Sequence, residues 1–292
     1  MDKALCLLNA HAQTDGPNHF FERMREELLL FGIELQKKTN DEILCHIDSG
    51  GHIVSSLPDY LFVLYLDKDL YTSFLLEKFG YRLFNSANAI RLCDDKMLTH
   101  LSLSNYGIAM PKTISGPLNY SPEISESFLL GVQKELSFPL VAKDNFGSLG
   151  KNVYLIESEE ELRKFESNHA QKPRLYQEFI SSSKGFDFRV IVVGGKVVAA
   201  MKRENAHDWR SNIAQKGMGY AVSLPKGYDE MAEKAAKIIG LDYCGIDLLE
   251  GHNKEPILCE VNSNAFLRGI ESVSGINAAK AYASHIVASL KR

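Results

Sequence analysis

The sequence predicts an α/β domain at the N-terminus, followed by a longer α+β region with antiparallel sheets. In the first part of the chain, short apolar runs alternate with helical patterns, which is typical of a small parallel-sheet α/β unit. Beyond Asn85, paired strands joined by short turns are interleaved with helices, which favours an α+β fold. A length of 292 residues suits one large domain or two to three small ones.

The N-terminal unit begins with a buried strand, Ala4–Leu8. A helical pattern opens at Pro17 and closes at Gly32, as the positional preferences of proline and glycine predict. Tyr60–Leu66 is a second strongly apolar strand. The remaining predicted elements of this unit are strands at Ile33–Leu35, Ile43–Ile47 and Tyr81–Phe84 and a helix at Leu70–Phe79.

The region beyond Asn85 opens with a predicted helix, Ser86–Asn105, and a domain boundary is expected just before it. Further along, Ser158 and Glu161 form a capping box at a helix start, and Gly194-Gly195 is the two-residue turn of a hairpin. The other predicted elements are strands at Leu140–Lys143, Val153–Ile156, Leu175–Ile180, Cys244–Leu249 and Ile257–Asn262 and helices at Tyr228–Ile239 and Ile276–Leu290.

Composition and charge exclude several classes of protein. The content of 45% hydrophobic and 24% charged residues is that of a globular chain, and the net charge of -4 argues against a nucleic-acid-binding face. The apolar runs are too short to span a bilayer, and no signal peptide is recognisable, so we expect a cytoplasmic protein with no membrane partner. The five cysteines form no C-x-x-C pair and are expected to be buried thiols: Cys6, Cys45, Cys93, Cys244 and Cys259.

Three oxygen-bearing side chains fall on two consecutive predicted strands. Asp247 lies in the first strand, and Glu260 and Asn262 lie at the end of the second. They converge if the strands pair antiparallel, because residues two apart on a strand share a face. Oxygen ligands of this type suit Mg²⁺, usually shared with phosphates. The alternative, a polar strand end in solvent, is disfavoured because a carboxylate inside a buried strand is costly unless it is paired or metal-bound.

A glycine-containing loop, Asp144–Lys151, joins two predicted strands, and Lys143 directly precedes it. Glycines let backbone N–H groups approach phosphate oxygens closely, and the flanking lysines supply positive charge. The loop lacks the spacing of a P-loop and its hydroxyl residue. A purely structural turn is an equally good explanation of this pattern.

Gln177–Ile180 ends a predicted strand, and Asp187 and Arg189 follow it. Backbone groups left exposed at such a strand end can hydrogen-bond an adenine edge, and Asp187 can hold a ribose hydroxyl or position a cation. The alternative is a strand–turn–strand unit in which Asp187 and Arg189 form a cross-strand ion pair. Spacing alone favours this alternative.

A cationic connection follows the hairpin and contains Arg203, Arg210 and Asn212. Arginine suits phosphate and carboxylate groups, because its guanidinium group can donate two parallel hydrogen bonds. A solvated loop explains the pattern about as well. Arg268, just after the oxygen cluster, is a further cation near the same place.

Taken in order, these segments resemble the ATP-grasp superfamily, and most closely its RimK-like branch. That branch includes the ribosomal-protein S6 glutamate ligase, the LysX ligases and the coenzyme F420 α-glutamate ligase. One such motif means little, whereas seven in the right order form a specific signal. The motifs are Cys93-Asp94-Asp95-Lys96 with Gly107–Thr113, Val141-Ala142-Lys143, Gln177-Glu178-Phe179-Ile180, Gly185-x-Asp187-x-Arg189, Trp209-Arg210-Ser211-Asn212, Gly245-Ile246-Asp247 and Glu260–Asn264.

The resemblance implies three parts, with ATP between the last two. These are an N-terminal α/β pre-ATP-grasp domain at residues 1–85, a central ATP-grasp subdomain with the glycine loop at 86–180, and a C-terminal α+β ATP-grasp subdomain with the metal site at 181–292.

The resemblance also assigns site residues. The residues expected to hold ATP are Lys96, Lys143, Gly147, Ser148, Gly150, Gln177, Glu178, Phe179, Ile180 and Asp187. One or two Mg²⁺ (or Mn²⁺) ions would be bound by Asp247, Glu260 and Asn262. The expected catalytic residues are Arg210, Asn212, Arg189 and Arg203, and the expected substrate contacts are Arg268 and Asn264.

The implied activity is that of an ATP-dependent carboxylate–amine ligase, which forms an amide or peptide bond through an acyl phosphate. The expected substrates are L-glutamate or another amino acid together with a small molecule, a peptide or a protein terminus. Two alternatives are a nucleotide-binding ATP-grasp protein without ligase turnover and a ligase of the D-alanine–D-alanine type. A homodimer or homotetramer is expected, and no nucleic-acid partner.

Overall fold

The computed structural model describes residues 1–147, 150–211 and 217–291. Three sheets organise this part of the chain, one for each of the three regions of sequence discussed above. Within the described ranges, no helix combines the length and the apolar character that crossing a bilayer requires.

The first sheet is parallel, as the alternation of strands and helices predicts. Its order is β2-β1-β5-β6, and each neighbouring pair runs parallel. A separate antiparallel hairpin, β3-β4, lies beside it. The elements are β1 (Asp2–Leu8), α1 (Gly16–Leu29), β2 (Ile33–Thr39), β3 (Cys45–Ile47), β4 (Ile53–Ser55), β5 (Val63–Tyr65), α2 (Leu70–Phe79) and β6 (Leu83–Phe84).

Two helices follow where the sequence predicts one: α3 (Ala87–Asp94) and α4 (Lys96–Leu103). The predicted continuous helix over Ser86–Asn105 is therefore wrong. The break is at Asp95, whose backbone is extended and whose carboxylate accepts hydrogen bonds from the N–H groups of Met97 and Leu98. An aspartate that can cap the next helix competes with helix continuation. The break places Lys96 at the first turn of α4.

The second sheet is antiparallel, with the order β7-β10-β8-β9. Helices α5 and α6 pack on one face and close a core of their own, which includes Leu129, Val132 and Tyr176. Ser158 caps α6 as predicted, accepting from the N–H of Glu161. The elements are β7 (Thr113–Ser115), α5 (Glu126–Glu135), β8 (Leu140–Asp144), β9 (Val153–Ile156), α6 (Glu159–His169) and β10 (Arg174–Glu178).

The third sheet is antiparallel, with the order β13-β12-β11-β14-β15. Gly194 and Gly195 form the predicted turn, and both have the positive φ angles that favour glycine. The elements are β11 (Phe186–Val193), β12 (Lys196–Glu204), β13 (Met218–Ala221), α7 (Tyr228–Ile239), β14 (Tyr243–Glu250), β15 (Pro256–Asn262), α8 (Leu267–Ser274) and α9 (Ala278–Leu290).

The third sheet is covered on both faces. On one face, α1, α8 and α9 fill a core that the first sheet shares. On the other face, α7 packs together with residues of α3 and α4, including Ala89 and Leu103. Helices α3 and α4 thus share a core with the third sheet rather than with the second. The subdomain boundaries at residues 85 and 180 stay predictions.

Asn85 joins the first sheet to the third. Its side-chain amide donates to the carbonyl groups of Tyr243 and Ser263 and accepts from the N–H groups of Asp242 and Tyr243. All four hydrogen bonds are made in a buried position. The start of β14 and the end of β15, the two strands that carry the predicted metal ligands, are therefore fixed to the N-terminal sheet.

Candidate active site

A cleft lies between the second and third sheets. Strands β8 and β10 form one wall, strands β11, β14 and β15 form the other, and the first residue of α4 lies between them. Most of the residues predicted for the site lie on these walls: Lys96, Lys143, Gly147, Gly150, Gln177, Glu178, Phe179, Ile180, Asp187, Arg210, Asp247 and Glu260.

Strand alternation decides which side chains of the second sheet reach the cleft. Val141 and Lys143 on β8 line it, whereas Leu140 and Ala142 point to the core under α5 and α6. Gln177 is the register partner of Val141 and lies on the same face. The cleft wall therefore combines a cation, an amide and apolar surface.

Lys96 brings a second cation to the cleft. Its ammonium group donates a 2.8 Å hydrogen bond to the carbonyl oxygen of Gly147 and lies 3.8 Å from Glu260 Oε1. Burial lowers the pKa of Lys96, with a further contribution from Lys143, and Glu260 opposes this shift. Two lysines that face one cleft favour an anionic ligand, because their positive potentials add.

The glycine loop is held over the cleft from several sides. Arg210 Nη1 donates to the Gly150 carbonyl oxygen at 2.9 Å, and Lys151 Nζ donates to Gln13 Oε1 of the N-terminal region at 2.8 Å. Gly147 and Gly150 both have positive φ angles. Ser148, also predicted to hold ATP, lies outside the described residues.

Arg210 is itself paired with Asp208, with 2.8 Å between Nη2 and Oδ2. The hydrogen bonds from Arg210 hold the pKa of Asp208 below its usual range. The guanidinium group is thereby aimed at the glycine loop and the cleft. Asn212, predicted to act beside Arg210, lies outside the described residues.

Strand β10 ends at Glu178, and the backbone of Phe179 and Ile180 leaves the sheet at the cleft. The ring of Phe179 packs against Trp209, with 5.9 Å between ring centroids. Glu178 Oε2 accepts from the N–H of Lys112. The result is an apolar slot with backbone polar groups at its edge, which suits a nucleobase.

Four charged residues of the third sheet form an ionic cluster: Asp187, Arg189, Arg203 and Asp247. Arg203 is the register partner of Asp187, and Arg189 is the register partner of Asp247, and each pair is bidentate. Arg203 also lies 3.0 Å from Asp247 Oδ2. The suggested ion pair between Asp187 and Arg189 is wrong, because these residues lie on one strand and each bonds a different neighbouring strand.

Charge pairing dominates the ionisation of this cluster. Burial by itself would raise the pKa of Asp247, but Arg189 and Arg203 outweigh it and hold that pKa below its usual range. Burial likewise opposes the charge of Arg203, yet Asp187 and Asp247 raise its pKa. Asp247 is therefore a carboxylate in the cleft wall at neutral pH. Arg189 and Arg203, predicted as catalytic, lie behind the two carboxylates and orient them.

The two strands that carry the predicted metal ligands pair antiparallel, and Asp247 and Glu260 line the cleft, whereas Asn262 is not among the described lining residues. Asp247 and Glu260 are register partners on β14 and β15, and Asn262 is paired with Gly245 two residues away. The side-chain nitrogen of Asn262 is buried and, among the described residues, has no hydrogen-bond partner. Two carboxylates and an amide fit Mg²⁺, which binds one or two carboxylates and completes its shell with phosphate and water.

The two predicted substrate residues lie elsewhere. Asn264 donates to the carbonyl oxygen of Asp67, and Arg268 pairs with Asp15 at 2.8 Å. Neither is among the described residues that line the cleft. Both contact loops of the N-terminal domain instead.

Several lining residues were not predicted as site residues. Val141, Leu249 and Trp209 provide apolar surface in the cleft. Val141 and Leu249 each lie two positions from a predicted site residue on the same strand, so period-two alternation could have found them. Trp209 lies in a connection, where no periodicity applies.

The sequence from residue 93 to residue 286 matches the model of the RimK-like ATP-grasp domain. The chain belongs to the RimK-like ATP-grasp family. Membership makes this RimK-like protein an ATP-dependent ligase that forms amide bonds, and the family uses ATP with magnesium. The predicted family, fold class and enzyme class are confirmed.

Curated relatives are similar over most of the chain. An uncharacterised protein of Mycoplasma genitalium is 35% identical over 210 residues, which cover 70% of this chain and 73% of that protein. A probable alpha-L-glutamate ligase of Stenotrophomonas maltophilia is 35% identical over 218 residues, 72% of this chain and 70% of that protein. Human beta-citrylglutamate synthase B is 32% identical over 243 residues, 77% of this chain and 61% of that protein.

A solved structure supports the fold over the full chain. The ATP-grasp ligase PsnB, complexed with a minimal precursor, Mg and ADP, superposes with a TM-score of 0.70, covering 99% of this chain and 98% of that one at 16% identity. At this identity the likeness concerns the fold alone. The roles of individual residues stay predictions.

Proposed function

We propose that this RimK-like protein joins the amino group of L-glutamate to a carboxylate of a small molecule or peptide, at the expense of ATP. The observation that carries the proposal is the cleft itself. Two lysines, an oriented arginine and two carboxylates face the same space, beside a slot suited to a nucleobase. Such a site can hold a nucleoside triphosphate, with its base in the slot and its phosphates toward the lysines and the metal-binding carboxylates.

In the first step, the substrate carboxylate attacks the γ-phosphorus of ATP, so that an acyl phosphate and ADP are formed. Lys96, Lys143 and Arg210 stabilise the charge that spreads over the transferred phosphoryl group. In the second step, the amine attacks the acyl carbon and inorganic phosphate leaves. Because both substrates are held in one cleft, this step is effectively intramolecular.

Asp247, Glu260 and Asn262 would hold one or two Mg²⁺ ions, and Mn²⁺ is an alternative ion for this donor set. When bound, the metal neutralises phosphate charge and polarises the transferred group. The glycine loop excludes water, which would otherwise hydrolyse the acyl phosphate. Asp187 would hold the ribose, and Arg203 donates to its carboxylate.

The substrates are proposed from the relatives and from the position of two residues. The names of two relatives, a probable alpha-L-glutamate ligase and beta-citrylglutamate synthase B, both point to glutamate chemistry. Arg268 and Asn264, which bond residues of the N-terminal loops, are the proposed contacts of the acceptor carboxylate. A homodimer or homotetramer is part of the proposal.

The test is a turnover assay with mass spectrometry. Purified protein is incubated with MgATP, L-glutamate and a panel of carboxylic acids and peptides. A product heavier by one glutamyl residue, formed with equimolar ADP, is the expected result. Glu260→Gln should abolish the product, because it removes a carboxylate from the cleft. Arg163→Ala is the matched control, since its ion pairs with Glu126 and Glu159 lie on the surface, away from the cleft.

ADP release that is absent for every pair of substrates would count against the proposal. Nucleotide binding without product, unchanged in Glu260→Gln, would favour an ATP-grasp protein without ligase turnover.

A further inference from the structure

A chain of hydrogen bonds runs behind the wall of the cleft and ends at Gln177. Gln177 Nε2 lies 2.8 Å from His100 Nε2 and 2.9 Å from Thr113 Oγ1. Thr113 Oγ1 lies 2.8 Å from the carbonyl oxygen of Pro111, and His100 Nδ1 lies 3.2 Å from the sulfur of Met110. Gln177 and His100 are buried, and Thr113 and Met110 are partly buried.

The chemistry of the end groups fixes the direction of every hydrogen bond. The carbonyl oxygen of Pro111 can only accept, so the single hydroxyl hydrogen of Thr113 points to it. Thr113 must therefore accept from Gln177, which identifies the group facing it as the –NH₂ end of the amide. The thioether of Met110 also has no hydrogen to give, so His100 carries its proton on Nδ1 and accepts from Gln177 at Nε2.

The protonation state of His100 agrees with this arrangement. Burial, with a smaller contribution from Lys143, lowers the pKa of His100 to about 4. The ring is neutral at physiological pH, so one of its nitrogens is an acceptor.

The consequence concerns the group that Gln177 presents to the cleft. Both hydrogens of its amide are committed to His100 and Thr113, so only the carbonyl oxygen is left for a ligand. Gln177 lines the cleft beside Val141, Phe179 and Ile180, the apolar residues of the nucleobase slot. A base in that slot therefore meets a fixed hydrogen-bond acceptor.

We propose that His100 and Thr113 are positioning residues that set the nucleobase selectivity of the cleft. By holding the Gln177 amide in one orientation, they favour a purine with an amino group at position 6 and disfavour one with a carbonyl group there. The inference rests on the nucleotide site of the proposed function. It adds two residues that touch neither ATP nor the substrates.

Inosine triphosphate (ITP) is a suitable probe, because it carries a carbonyl group where ATP carries the amino group. The dissociation constants of MgATP and MgITP are measured by competition with a fluorescent ATP analogue, so that ligase turnover is not needed. The wild-type protein should bind ATP about tenfold more tightly than ITP or better, since a fixed acceptor faces a second acceptor in the ITP complex.

Gln177→Leu shows how much of this preference the amide carries. His100→Phe and Thr113→Val should each lose the same share of the preference for ATP over ITP as Gln177→Leu. In these variants the freed amide can turn its –NH₂ end toward the carbonyl group of inosine. Thr113→Ser keeps the hydroxyl group and should retain the wild-type ratio. Val132→Ala, which only weakens the core of the same subdomain, should lower stability without changing the ratio.

Folded His100→Phe and Thr113→Val proteins with the wild-type ratio of ATP to ITP affinity would overturn the inference. If His100→Phe does not fold, the comparison of Thr113→Val with Thr113→Ser decides alone. Failure of the wild-type protein to bind ATP would refute the proposed function instead, so the two failures are distinguishable.

Discussion

Two groups of buried charges on neighbouring sheets have similar compositions and different surroundings. In the central subdomain, Arg174 and Glu166 are both fully buried and form a bidentate ion pair. Tyr176 bonds both of them, and further N–H groups of Arg174 donate to three main-chain carbonyl oxygens. Every polar partner of this group is supplied by the protein.

The ionic cluster of the third sheet has the opposite character. Its arginines lie behind two carboxylates, Asp187 and Asp247, and both carboxylates line the cleft. Each carboxylate is therefore bound by arginine and also forms part of the cleft wall. The difference teaches that a buried ion pair indicates a functional site only when one partner faces open space, since a fully satisfied pair serves packing alone.

The largest effect on stability is expected from Arg174→Met. It leaves the Glu166 carboxylate buried without its cationic partner, which costs about 3 to 5 kcal/mol of the free energy of unfolding. Urea denaturation measures this loss. The affinity for MgATP, determined where the variant is folded, should stay unchanged. The double variant Arg174→Met/Glu166→Leu should regain part of the loss, and a further drop in stability would contradict the comparison.

Asp247→Asn should have the reverse effect, with a large loss of turnover and a small loss of stability. The turnover rate is expected to fall on the order of 10²- to 10³-fold, because a charge that faces the reacting phosphoryl group is removed. The free energy of unfolding should fall less than in Arg174→Met, since Arg203 retains Asp187. Glu233→Gln, which alters an exposed pair with Lys196, is the control for the assay. An active Asp247→Asn enzyme would show that the open cluster is structural after all.

The ionisation of His100 tests how burial by itself affects the pH dependence of stability. Its pKa is lowered to about 4 in the folded protein, from about 6.5 in the unfolded chain. The stability it contributes is therefore complete above pH 6.5 and is lost as the pH falls toward 4. This amounts to about 2 kcal/mol between pH 7.5 and pH 5. The loss should be missing in His100→Phe when both proteins are unfolded by urea across this range. Equal pH profiles would contradict the assignment.

The smallest effect is expected from Arg163→Ala. Arg163 bonds Glu126 and Glu159, and all three side chains are exposed, so water already solvates the charges. The melting temperature should not change measurably. A clear decrease would mean that ion pairs in this subdomain contribute independently of burial.

Local sequence signals predicted much of the fold. The Gly-Gly turn, the cap at Ser158 and the antiparallel pairing of the strands with Asp247 and Glu260 all follow from short-range chemistry, and all three are found. The wrong prediction of one continuous helix over Ser86–Asn105 also has a local cause. An aspartate inside a helical pattern can either continue one helix or cap the next. Propensity alone does not decide between these two outcomes.

The sequence by itself determined the family and the set of residues that carry charge and oxygen ligands, because these depend on residue type and order along one strand or loop. Only the tertiary structure decided which of them pair. Asp187 bonds Arg203 and Arg189 bonds Asp247, because strand register, set by packing across the whole sheet, brings distant residues face to face. The same holds for Gln177 on β10 and His100 on α4, which are 77 residues apart in the sequence and whose side chains meet only in the folded chain.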